Sequence, residues 1–167
     1  MASSLDARPD SGGAPDWLTA VRRYLLFSAA GNLLWEIAQL PLYTIWRTVS
    51  PGTVAFDILH CTAGDMIIAG ISLLAGLVLL GGRHWPASSR GPVAGCAVLI
   101  GFGYTIYSEH LNTAVLHAWA YSDLMPVVPG LGIGLAPLAQ WVVVPLMSFW
   151  FAGHANRPMA SPPGDRI

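Results

Sequence analysis

Glu36, His60, Asp65 and Glu109 sit inside stretches that are otherwise almost wholly apolar. An ionisable side chain in such a stretch is expensive to bury, so it marks either a functional site or a polar network that fixes how segments pack. Carboxylates and an imidazole can hold a cation, relay protons or act as general acid and base. Two acids at one depth in low dielectric resist ionising together, and a shared proton or a bound cation relieves the conflict. Around Glu109, the stretch YTIYSEHLNTAVLHAWAYSDLMP at 104–126 adds His110, Asn112 and His117 and ends in an aromatic, proline-bounded loop.

Such residues need elements to carry them. The chain is 54% hydrophobic and only 10% charged, where a soluble domain carries about 25% charged residues. That composition defines a membrane class. Four apolar segments, about 21–46, 57–80, 92–117 and 130–152, each reach the roughly 20 residues that cross a hydrocarbon core. The expected fold is all-α: a four-helix transmembrane bundle over 17–153, flanked by disordered cytoplasmic tails at 1–16 and 154–167. The Pro, Gly, Ser and Asp of those tails cannot bury enough apolar surface to order them. The first tail lacks the short apolar core of a cleavable signal, so the first segment is expected to serve as an uncleaved anchor. Runs such as MIIAGISLLAGLVLL lack the period-two alternation of a small barrel. Pro41 and Pro145 are expected to kink the first and last helices.

Orientation follows from the basic residues, all eight of which are Arg. Arg8 precedes the first segment and Arg22 and Arg23 stand at its start, Arg83 and Arg90 separate the second from the third, and Arg157 and Arg166 follow the fourth. Only Arg47 falls in the other set of loops. This bias places both termini in the cytoplasm. The hydropathy profile resembles that of small polytopic proteins common in bacterial genomes, which implies a multi-pass protein of the cytoplasmic (inner) membrane.

Depth along each helix then follows from the rise per residue. Glu36 lies roughly 18 Å up the first helix, Asp65 about 13 Å down the second and Gln140 about 15 Å down the fourth. These three share a level, with His60, Glu109 and His110 in a tier above. Asn32, Glu36, Gln39 and Tyr43 form one stripe on the first helix, and Cys61 and Asp65 share a face of the second. Thr105, Glu109 and Asn112 line one face of the third, while His110 and His117 line another. The candidate ligand or proton site is therefore Glu36, Asp65, His60, Glu109, Gln39, Asn112, Gln140 and Tyr121, with Trp119 at its edge.

A divalent metal is one occupant this set would take, through Glu36, His60, Asp65 and Glu109. The Glu-x-x-His pairs of di-iron bundles and the HExxH motif are absent, however. GLGIGLAP at 130–137 has no preceding strand to make it a nucleotide loop and is expected to pack helices closely through small residues. Ser108, Glu109 and His110 adjoin on a helix and point in different directions, so they form no triad. Cys61 and Cys96 fall near opposite faces, too far apart for a disulfide. A net charge of −1 offers no basic field for nucleic acid.

The leading expectation is a small integral membrane protein that binds a small ligand, ion or proton in the outer half of its bundle. A quinone-like headgroup is one such ligand. The alternatives are a membrane-embedded enzyme acting on a lipid-soluble substrate through the same carboxylates, and an accessory subunit packed in a larger membrane complex.

Overall fold

Pro41 sets the length of the first helix. It offers no N–H and its ring crowds the carbonyl four residues back, so α1 (Asp16–Gln39) stops there and the chain turns through a 3₁₀ segment, Leu40–Leu42. The sequence predicted a kinked helix running to 46; the computed structural model, which describes residues 16–154, ends it instead. The tails expected at 1–16 and 154–167 lie outside the described residues except for Asp16 and His154, which are helical. A short helix α2 (Ile45–Thr48) leads to Ser50, whose Oγ accepts the Thr53 N–H at 3.2 Å and caps α3 (Pro51–Leu80). Pro51 follows at the first helical position, where its missing N–H costs nothing.

α4 (Arg90–His110) continues into a π-helical turn, Leu111–Val115. There Asn112 Nδ2 donates to the Ser108 carbonyl at 2.8 Å and Thr113 Oγ1 to the Glu109 carbonyl at 2.6 Å. Both side chains bond back to carbonyls one turn earlier, where the helix widens. A long loop then leads to α5 (Leu135–His154), which contains Pro145. α5 starts later than the 130 expected from sequence, because Gly130 and Gly132 adopt φ of +81° and +66°. Positive φ suits glycine in a turn and breaks a helix. A Cβ on either would meet nothing within 4 Å, so the expected close helix packing at these two positions is replaced by a small hairpin. Its Val128 N–H and Leu135 N–H donate across it to the carbonyls of Ile133 and Pro126 at 2.8 Å each.

All long elements among the described residues are helical, and pairing is limited to two isolated bridges, Tyr43–Tyr121 and Val127–Gly134. α1 packs on α3 and α5, and α4 packs on the same two. The close approaches use small residues: Gly76 meets the Val93 carbonyl, and a Cβ on Gly101 would overlap the Trp141 ring. The core runs through Ala20, Tyr24, Ala69, Leu73, Val93, Ala97, Trp141 and Phe149.

Outward faces carry the large apolar side chains instead; Leu26, Val78 and Leu99 are each more than 70% exposed. Large apolar side chains turned outward along the helices suit a hydrocarbon surround. Three helices are long and apolar enough to cross a membrane: Pro51–Leu80, Arg90–Val115 and Leu135–Gly153. α1 is not among them, since Arg22, Arg23, Asn32, Glu36 and Gln39 lower its hydropathy. Near the segment ends, Trp17, Trp46 and Trp150 are exposed, whereas Trp85 is buried and Trp119 and Tyr121 are partly so.

Candidate functional site

One end of the helix assembly opens into a cavity of about 510 Å³, at the α1 C-terminus, α3 N-terminus, α4 C-terminus and α5 N-terminus. Its floor is built around Gln140, which is 2% exposed. Gln140 Nε2 lies 2.9 Å from Asp65 Oδ2, 3.1 Å from Asn32 Oδ1 and 3.3 Å from Glu36 Oε1. Gln39 Nε2 donates to the same Glu36 oxygen at 2.9 Å and reaches Gln140 Oε1 at 3.4 Å. α1, α3 and α5 thus meet at a single amide, and both carboxyls share one donor. An amide nitrogen carries two hydrogens and here faces three acceptors, so the floor is rich in acceptors and short of donors.

The upper wall belongs to Glu109, 7% exposed. It accepts from the Tyr121 hydroxyl, and the Tyr43 hydroxyl lies 3.4 Å away. Tyr121 Oη in turn accepts the Gly134 N–H at 3.0 Å. The backbones beside these tyrosines are joined too: Thr44 N–H donates to the Ala120 carbonyl and Ser122 N–H to the Leu42 carbonyl, each at 2.9 Å. Glu109 therefore clasps the segment after α1 to the loop before α5. Burial and the bond to Glu109 hold the Tyr121 phenol above its ordinary pKa, so it remains a donor through neutral pH.

Of the residues singled out in the sequence, Glu36, Asp65, His60, Glu109, Gln39, Asn112 and Gln140 all line this cavity, as does Trp119. Tyr121 stands behind it, holding Glu109. His60 is exposed at the cavity wall and stacks on Phe56 with ring centroids 5.8 Å apart, so it makes no contact with the carboxyl pair. His110 and His117 are exposed and absent from the lining. The helix is irregular immediately after His110, yet His110 still turns away from Glu109. Among the described residues, no three His, Cys, Asp or Glu side chains gather closely enough to hold a metal ion, so Glu36, His60, Asp65 and Glu109 do not form a ligand sphere. Both cysteines are free: Cys61 lines the cavity, and Cys96 lies by Gly76 away from it.

Asp57, Tyr43 and Trp141 are among the lining residues outside the candidate set. Asp57 stands four residues before Cys61 and eight before Asp65, so its helical spacing already placed it on their face. Tyr43 belonged to the α1 stripe, but its partner Glu109 lies 66 residues away. Trp141 carried no signal; it enters because Gly101 on α4 leaves room for its ring. No protein-family model, curated protein or solved structure matches this chain.

Proposed function

We propose that the chain is an integral protein of a bacterial cytoplasmic membrane whose four long helices all cross the bilayer, with both termini in the cytoplasm. In this reading it binds a small ligand, ion or proton in the outer half. Support for α1 as the fourth span comes from its length and faces. Its 24 residues extend about 36 Å. Asn32 and Gln39 are buried and Glu36 lines the cavity, while Leu26, Leu34 and Ile37 are exposed on its outer side. The Arg bias then directs the cavity end outward.

The observation that carries the binding role is the cavity itself. Glu36, Asp65 and Glu109 line it, and no Arg does, in a chain that has no Lys. A polar network serving only to fix helix register would use amides, which are neutral without a proton, and would close over them. Here acids face an open volume within the roughly 300–1,000 Å³ range of small-molecule sites.

Native mass spectrometry of the detergent-purified protein tests this reading. The wild-type chain should carry a bound molecule or ion that Glu36→Gln and Asp65→Asn lose, while both variants keep their fold. The same added mass, or none, on wild-type and variants, together with unchanged cellular phenotype, would assign the carboxyls to scaffold.

A further inference from the structure

Resting on the binding role just proposed, the chemistry of the cavity narrows its occupant. Asp57, Glu36 and Asp65 line the wall without any Arg or Lys among the lining residues, where His60 is the one imidazole. An anion would meet only like charge there, and a purely apolar molecule would leave the acids without compensation. No three His, Cys, Asp or Glu side chains converge there to hold a transition-metal ion among the described residues. Tyr43, Trp119 and Trp141 supply aromatic surface to the same volume, so part of the occupant meets ring rather than carboxyl. Aromatic faces attract a cation through the ring quadrupole.

A second feature is independent of the acids. Gln39, 6% exposed, forms part of the cavity wall, and its Oε1 has no hydrogen-bond partner. A buried carbonyl oxygen left alone is costly, and only a donor satisfies it. The floor around Gln140 has the same bias, with three acceptors set around one two-hydrogen donor. A component that is positively charged, carries an N–H and has an apolar body would answer the acids, the unpaired Gln39 oxygen and the rings together.

We infer that the cavity binds a protonated organic amine, its ammonium N–H directed at the Glu36–Asp65–Gln39 floor and its apolar part against Tyr43, Trp119 and Trp141. Glu109 is not the counter-ion; two tyrosine hydroxyls already engage it. Protonated N,N-dimethylbenzylamine and its neutral carbon counterpart isobutylbenzene separate charge from shape. Titration calorimetry of the protein in a non-ionic detergent should give the ammonium at least about tenfold tighter binding than the hydrocarbon. Asp65→Asn with Glu36→Gln should reduce that preference to near parity. The comparison on the unaltered chain needs no variant, so it stands even where the double variant does not fold. Equal binding of the two probes would overturn the ammonium assignment and leave a ligand site in place. Failure of both probes while native mass spectrometry still shows a bound molecule would do the same. Failure of both with unliganded masses throughout would overturn the binding role as well.

Discussion

Replacing Gln140 by Met is the most direct test of the floor. Methionine keeps the unbranched length and removes every polar contact of the amide. Its two hydrogens limit Gln140 to two full donor bonds among Asp65, Asn32 and Glu36, whichever pair holds them at a given moment. Hydrogen bonds between membrane helices contribute about 0.6–1.7 kcal/mol each, so the loss should be about 1–3.5 kcal/mol. The upper end applies if Asn32, 3% exposed, is left with its side-chain oxygen unpaired. Gln140→Glu should cost more, because it removes the donor and adds a third carboxyl to a floor already short of donors. Unfolding of the detergent-solubilised protein, followed by helical circular dichroism against added denaturing detergent, reads both values. A Gln140→Met protein as stable as wild-type, or a Gln140→Glu protein more stable than Gln140→Met, would refute the picture of one amide tying three helices together.

Three further outcomes are expected. Single-cysteine labelling in a background without Cys61 and Cys96 should mark Ser50 and Ser122 from outside the cell and Ser88 from inside; outside labelling at Ser88 would reverse the orientation. Gly101→Ala drives a methyl into the Trp141 ring and should destabilise by about 1–3 kcal/mol, whereas Gly103→Ala, which meets nothing within 4 Å, should be close to neutral by the same unfolding measurement. Tyr121→Phe removes a donor from buried Glu109 and should cost about 1.5–3 kcal/mol. Because the folded-state pKa of Tyr121 is raised, its contribution holds below the unfolded phenol value of about 10 and is lost as pH climbs above it. An alkaline unfolding profile that Tyr121→Phe leaves unchanged would remove Tyr121 from the clasp.

Much of this molecule follows from residue type and spacing. Charged content and run length required long apolar helices, and three of them satisfy that physically. Helical periodicity placed Asn32, Glu36 and Gln39 on one face, because positions three and four apart are neighbours whatever packs against them. Rise per residue likewise brought Glu36, Asp65 and Gln140 to one level, since depth is a one-dimensional quantity. What spacing could not supply was direction around the bundle. Tertiary packing alone decided that Gln140 reaches both acids from α5, and that Glu109 serves Tyr43 and Tyr121. The loop before α5 followed the same rule. Its glycines looked like helix-packing residues in one dimension, but Gly130 and Gly132 take positive φ and the segment forms a hairpin whose Gly134 N–H bonds Tyr121 across the fold. A linear chain fixes which side chains share a helix face; only the approach of other helices fixes which of those faces confront one another.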